Sequence, residues 1–209
     1  MSTPIAVRLV GVRHAYGETR VLDGVDLEAV AGEVVALAGP SGSGKSTVVH
    51  LVAGFEEPQH GLVEVLGRPP GPDPDWSRVA VVPQHHGLVE GLSVEDNVLL
   101  PALRRDPRAT RPDLLEALDL EALARRRVEE TSLGEQQRAA VARSLVLDPR
   151  VVVLDEPTAH QDEAHVAQVL EALRRGADGG TAVLVATHDP VVLEASDRVV
   201  ALVDGRTSG

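Results

Sequence analysis

Hydrophobic positions along the chain fall into three kinds of pattern. Four short apolar runs each end in a chemically pointed residue. Val34 to Ala38 runs into a glycine-rich loop, and Val79 to Val82 leads through Pro83 to Gln84. Val151 to Leu154 ends in Asp155-Glu156, and Ala182 to Ala186 ends in Thr187-His188. Continuous apolar runs of this length predict buried parallel strands. Val7 to Val30 and Gly61 to Leu66 alternate apolar with polar, which predicts a small antiparallel layer. From Ser93 to about Leu147 the spacing turns helical, with Leu99, Leu103, Leu114, Leu115, Leu118 and Leu123 recurring at three- and four-residue steps. Pro107 and Pro112 divide that region into separate helices, and residues 67–74, with four prolines, predict an exposed loop. There is no internal repeat and no low-complexity tail. The pattern predicts an α/β protein built as one domain over residues 1–209. Residues 1–85 and 148–209 would form the core with its β layer, and residues 86–147 an inserted helical subdomain.

The loop after the first buried strand carries the most specific chemistry. Gly39-Pro40-Ser41-Gly42-Ser43-Gly44-Lys45-Ser46-Thr47 matches G-x-x-x-x-G-K-[ST], with odds of a chance match on the order of one in a thousand. Lys45 is the single lysine among 20 Lys and Arg residues. It falls where phosphate chemistry needs a compact ammonium on a flexible stem, not a planar guanidinium. An apolar strand precedes the loop, and residues 47–53 after it read as a helix ending at Gly54. A flexible Gly/Ser linker would not sit between two such segments. Glycines let backbone N–H groups curl around phosphates, and a helix N-terminus adds partial positive charge. Lys45 would reach the β- and γ-phosphates, and the Ser46 hydroxyl would ligate Mg²⁺. Ligands of parallel α/β sheets bind outside the carboxyl ends of the strands. Four strands delivering Lys45, Gln84, Asp155-Glu156 and His188 to that edge are what a nucleotide hydrolase needs.

Charge and composition narrow the partners. Net charge is −12, from 20 basic and 32 acidic residues, which argues against a nucleic-acid surface because a backbone-tracking face needs clustered cations. Arg104-Arg105 and Arg125-Arg126-Arg127 read as solvated helix ends. No cysteine is present, so disulfides and thiol chemistry are excluded. No apolar run approaches the roughly 18 residues of a membrane span, and the amino terminus lacks the layout of a signal peptide. A cytosolic chain is expected, with any membrane link made through a partner. His85-His86 lacks neighbouring ligand spacing and reads as loop or contact residues. His160 and His165 do not share a helical face well. Trp76 and Phe55 read as packing or contact residues.

Thr131-Ser132-Leu133-Gly134-Glu135-Gln136-Gln137-Arg138 precedes a helical run, with Ser132 and Glu135 spaced as a capping box. Together with Lys45, Gln84, Asp155-Glu156-Pro157-Thr158 and His188, this stretch resembles the signature of ATP-binding cassette (ABC) ATPases over nearly the whole chain. The resemblance implies a P-loop NTPase core of the RecA-like kind. It implies that ATP is cradled by residues 39–47 and that Mg²⁺ is held by Ser46, Gln84 and Asp155. Glu156 would be the general base and His188 the switch histidine at the γ-phosphate, with Lys45 completing the catalytic group. Tyr16, the one tyrosine, lies where the family stacks an aromatic on adenine. Ser132, Gly134 and Glu135 would serve the nucleotide of a partner cassette, with Asp162 at the seam. One cassette per chain implies a dimer, with integral membrane permease subunits as further partners. The chain would sit peripherally on the inner face of the cell membrane.

Two departures touch the trans interface. Thr131 and Leu133 replace the usual Leu and first Gly of Leu-Ser-Gly-Gly. Ala159-His160-Gln161-Asp162 keeps only the Asp of Ser-Ala-Leu-Asp. Leu133 is expected to hold an ordinary helical or extended backbone, with its side chain pointing away from the nucleotide. A soluble cassette of DNA repair or translation would carry paired cassettes, coiled-coil insertions or basic linkers. A degenerate scaffold would lack Glu156 and His188. Residues 92–101 resemble the post-glutamine stretch of lipoprotein-release and macrolide-export ATPases. The chain ends soon after its last strand, without the extension common in sugar and metal importers, and short importers of polar amino acids remain the alternative.

Overall fold

Asp155, Thr187 and Ala38 finish side by side because three strands share one parallel register. In the computed structural model, which describes residues 4–71, 75–103 and 112–208, the elements follow the predicted order. The antiparallel layer is β1 (Ile5–Tyr16), β2 (Thr19–Val30) and β4 (His60–Val65), in the order β2-β1-β4. The main sheet joins β3 (Val34–Ala38), β5 (Val79–Val82), β6 (Val151–Asp155), β7 (Ala182–Thr187), β8 (Arg198–Val203) and β9 (Arg206–Ser208). Its order is β5-β6-β7-β3-β8-β9. All pairs are parallel except β8 with β9. Ala38 pairs with Thr187, Asp155 with Ala186 and Val82 with Leu154, so the strands' carboxyl ends form one edge.

Alternation within the apolar runs divides the core in two. Val35, Leu37, Val151, Val153, Ala182 and Leu184 face the antiparallel sheet and helix α1 (Lys45–Ala53). Val82, Val152, Leu154, Val183 and Val185 face the helices α2 (Val94–Leu103), α3 (Pro112–Ala117), α4 (Leu133–Leu145) and α5 (Glu163–Asp178). The period of two is that of a strand buried on both faces. Helix α6 (Pro190–Ala195) is short, with proline at its first position and Asp189 as cap. Gly54 ends α1 with φ 72, as its place at the end of the apolar run predicts.

Some expectations change. The fifth parallel strand, β8, and the short β9 extend the sheet beyond the four runs singled out above. Arg125, Arg126 and Arg127 sit between two single-turn 3₁₀ helices, Glu121–Leu123 and Val128–Glu130, rather than at the end of an α-helix. Pro101 lies inside α2, while Arg104, Arg105, Pro107 and the 72–74 part of the proline loop lie outside the described residues. Among the described residues, no helix is long and apolar enough to cross a membrane.

Candidate active site

The loop between β3 and α1 is shaped by glycines at specific points. A Cβ on Gly39 would lie 2.3 Å from the Leu202 carbonyl oxygen, so β8 itself forbids a side chain there. Gly44 stands at φ 105, and a Cβ there would meet Leu22 at 2.6 Å. Helix α1 starts at Lys45 with no side-chain cap and no acid in its first turn, which leaves its N–H groups to an external anion. Lys45 is buried, and its Nζ donates to the carbonyls of Gly39 (2.8 Å) and Pro40 (3.3 Å). Ser43 Oγ is buried without a hydrogen-bond partner. Ser41, Gly42, Gly44 to Thr47, Gln84, Asp155 and Glu156 line a cleft of about 340 Å³. Larger cavities of about 440 and 410 Å³ lie elsewhere, but neither includes the glycine-rich loop, Gln84 or the acids at the end of β6, so size does not select the site.

The two acids at the end of β6 are treated differently by their surroundings. Asp155 is buried, which raises its pKa, while a hydrogen bond with the Ser46 side chain works against the shift. Glu156 adopts φ 50, a left-handed conformation that costs a non-glycine residue roughly 1–2 kcal/mol. Its N–H donates to the Ala186 carbonyl at 2.8 Å, so β7 holds the strained turn. The twist carries the carboxylate across to the end of β7. There Thr187 Oγ1 donates to Oε2 at 2.9 Å, and His188 Nδ1 lies 2.8 Å from Oε1. Lys45 Nζ stands 3.8 Å from the same Oε1. Thr158 Oγ1 donates to Asp189 at 2.7 Å, and the Asp189 N–H donates to Thr187 Oγ1 at 3.0 Å. Thr158, Thr187 and Asp189 therefore fasten the turn that aims Glu156. None of these three roles shows in the sequence, although each residue lies beside one that the motifs single out.

At the start of α4, Ser132 caps the helix with φ −68, ψ 162. Its Oγ accepts from Glu135 N at 3.3 Å, and Glu135 accepts from Ser132 N at 2.6 Å. That backbone N–H, first among several causes, holds the Glu135 carboxyl below its ordinary value. Leu133 opens the helix with its side chain 55% exposed, outside the left-handed region, as expected. A Cβ on Gly134 would lie 2.8 Å from the His160 carbonyl, so this glycine is where the loop before α5 presses closest. Asp162 caps α5 by accepting from His165 N at 3.0 Å. Ser132, Gly134, Glu135 and Asp162 line no part of this chain's own cleft. Tyr16, at the end of β1, is not among the residues lining this cleft, whereas Thr47 is.

The loop carrying Gln84 is tied to α4 by a residue that the sequence did not flag. Arg143 is buried, and its guanidinium donates to the carbonyls of His86 (2.6 Å) and Gly87 (2.7 Å). It also lies 5.3 Å from the centre of the Trp76 ring. Burial pulls its pKa down to about 10. His86 stands at φ 50, and burial lowers its pKa as well. Among the described residues no cluster of His, Cys, Asp and Glu is arranged to hold a metal ion.

Comparison with known proteins adds relatives to this geometry. The ABC transporter family model matches residues 22–159. The lipoprotein-releasing system ATP-binding protein LolD of Anaeromyxobacter dehalogenans (strain 2CP-C) is 40% identical, over 99% of this chain and 95% of its own. LolD 2 of Caulobacter vibrioides is 38% identical, over 98% of this chain and 97% of its own. Among solved structures, the dimeric structure of a post-hydrolysis state of the ATP-binding cassette MJ0796 bound to ADP and Pi superposes with TM-score 0.87 at 29% identity. That match covers 97% of both chains.

Proposed function

The chain belongs to the ABC transporter family of ATP-binding cassettes and hydrolyses ATP, and from that premise we propose that it is the nucleotide-binding subunit of a lipoprotein-releasing transporter. Two copies close around two ATP molecules, and separate membrane-spanning permease subunits carry the substrate. The observation that carries the pairing is the start of α4. It is a capped helix N-terminus, with Ser132 and Leu133 exposed and Gly134 buried behind them, and it lines none of its own cleft. Its capping box already satisfies the Ser132 and Glu135 N–H groups, so it would meet the phosphates held by a second copy through the Ser132 hydroxyl and the partial positive charge of the helix. Asp162, beside it, would stand at the seam.

The residues present fit a magnesium triphosphate. The orphaned Ser43 hydroxyl, the uncapped start of α1 and a Lys45 ammonium hydrogen-bonded to its own loop's carbonyls, with the Glu156 carboxylate 3.8 Å away, are donors that a triphosphate would satisfy. The Ser46 hydroxyl beside Asp155 is a pair of hard oxygens suited to Mg²⁺, with Gln84 on the same cleft wall. When bound there, Mg²⁺ would neutralise charge on the transferring phosphate. Residues 39–47 would bind and orient the triphosphate, and Lys45 would offset its charge. Glu156 takes a proton from the attacking water, because Thr187 and His188 fix its two oxygens at the cleft edge. The exposed His188 ring would sense the γ-phosphate, and Tyr16 would offer its ring face to adenine.

The chain reads as one domain, with residues 86–147 inserted into a core of residues 1–85 and 148–209. The open groove of about 410 Å³ beside Phe55, Trp76 and Arg143 supports a permease contact, which would place the chain on the cytoplasmic face of the membrane. The lipoprotein substrate rests on the relatives named above and on residues 92–101. Reconstitution with the membrane subunits tests it: acylated lipoprotein should stimulate ATP hydrolysis several-fold. Stimulation by a polar amino acid and its binding protein instead would overturn the substrate.

A further inference from the structure

Tyr16 ends a strand with its side chain 48% exposed, yet its position is closely specified. Its hydroxyl donates to the Glu56 carboxylate, 2.8 Å from both oxygens. The same carboxylate takes two more partners: His14 Nε2 at 3.0 Å from Oε2, and His50 Nδ1 at 3.2 Å from Oε1. The buried His14 ring also stands edge-on to the Tyr16 ring, with centroids 5.0 Å apart and planes at 75°. His50 lies on α1 and His14 on β1, while Glu56 follows the helix's closing glycine, Gly54. One carboxylate thus gathers side chains from the antiparallel layer and from the phosphate-binding helix. Nothing in the hydrolytic chemistry above uses it.

Its charge suits that task. Partial burial alone would raise the Glu56 pKa, but the Tyr16 hydroxyl, then His50 and His14, outweigh burial and hold the carboxyl below its ordinary value. An ionised acceptor makes the phenol's bond a charge-assisted one, stronger than a neutral pair. A ring held by its hydroxyl at one end and by an edge contact along its side loses little freedom when a base stacks on it. An untethered tyrosine at a strand end would have to be ordered by the ligand.

We propose that Glu56, flanked by His14 and His50, is a positioning residue for the nucleobase platform, locking the Tyr16 ring in the orientation that meets a purine. The inference rests on the reading of Tyr16 as that platform. It requires Glu56 to act on the base-dependent part of binding and not on the part due to phosphates.

Calorimetric affinities for ATP and for inorganic tripolyphosphate, both with Mg²⁺, separate these parts on the full chain. Glu56→Ala should weaken ATP roughly three- to tenfold, the size of one aromatic contact, and leave tripolyphosphate within about twofold. Glu56→Gln, which keeps an acceptor, should recover most of the loss. Tyr16→Phe, which keeps the ring and removes the tether, should reproduce it and serves if Glu56→Ala fails to fold. Tyr16→Leu combined with Glu56→Ala should be no weaker than Tyr16→Leu alone. Equal losses for ATP and tripolyphosphate in Glu56→Ala, or full additivity in the double variant, would overturn the inference and reduce Glu56 to a staple between β1 and α1. If Tyr16→Leu weakens ATP while Tyr16→Phe and Glu56→Ala bind normally, only the role of Glu56 fails. If Tyr16→Leu binds ATP normally, the platform reading itself fails.

Discussion

At the scale of single residues, Leu133 and Gly134 show how little a motif letter says without its backbone. Leu133 occupies a position where the family usually has glycine, but its backbone is helical and its side chain faces solvent. Gly134 has the His160 carbonyl 2.8 Å from where a Cβ would lie. Leu133→Gly should therefore change ATP turnover with the membrane partner by less than about tenfold, or 1.4 kcal/mol of barrier. Gly134→Ala should lower it by more than that, because backbone must move. Steady-state ATPase assays of both variants check the contrast, and a rise above tenfold in Leu133→Gly would mean that the leucine obstructs closure. Lys45 is buried with its ammonium 2.8 Å from a loop carbonyl, a geometry suited to a compact ammonium and not to a planar guanidinium. Lys45→Arg should weaken ATP binding at least about tenfold despite conserving charge. A titration with fluorescent nucleotide reads this, and wild-type affinity in the variant would show that the loop is not the working site. Lys45 and Glu156 were legible because spacing and neighbouring apolar runs announce them. The left-handed turn at Glu156, and its fastening by Thr158, Thr187 and Asp189, were not. They depend on β6 and β7 lying side by side, and residues so far apart in sequence leave no periodic trace.

At the scale of elements, patterning did most where burial is on two faces. All four apolar runs became neighbouring parallel strands, and the alternating segments became the antiparallel layer. The strand β8 was harder to single out because Arg198, Val199 and Val203 are exposed and its burial is uneven. The capping box at Ser132 and Glu135 formed as its spacing predicted. Asn97, fully buried in α2, carries a tie that periodicity cannot reveal. Its Oδ1 accepts from Val89 N at 2.7 Å, and its Nδ2 donates to the carbonyls of Val89 (3.0 Å) and Ser93 (3.1 Å). The loop after Gln84 is thereby stitched to the helical region. Asn97→Ala strands buried backbone groups and should cost about 1–3 kcal/mol of stability. Denaturant unfolding followed by the fluorescence of Trp76, the one tryptophan, measures it. An unchanged midpoint would mean that this stitching contributes nothing.

At the scale of the whole molecule, the half-site character of the cassette is the main consequence of the fold. One edge of the chain gathers the phosphate loop, Gln84, the β6 acids and His188. The capped start of α4 stands apart from it. On the proposed reading each copy would hold one nucleotide and supply the closing surface for another. A net charge of −12 per chain opposes association of two like subunits. Bound nucleotide must supply the attraction, so the chain alone should be monomeric, and dimerisation should be linked to ATP by mass action. Glu156→Gln keeps the shape of the side chain and its hydrogen bonding while removing the base, so it should bind ATP, fail to hydrolyse it and accumulate the closed pair. Light scattering coupled to gel filtration, with and without MgATP, tests this most directly. The expected result is a monomer without nucleotide and a species of twice the mass with MgATP, together with hydrolysis reduced at least about a hundredfold. A variant that remains monomeric in saturating MgATP, or that turns ATP over at the wild-type rate, would contradict the assignment of Glu156 and the two-chain site.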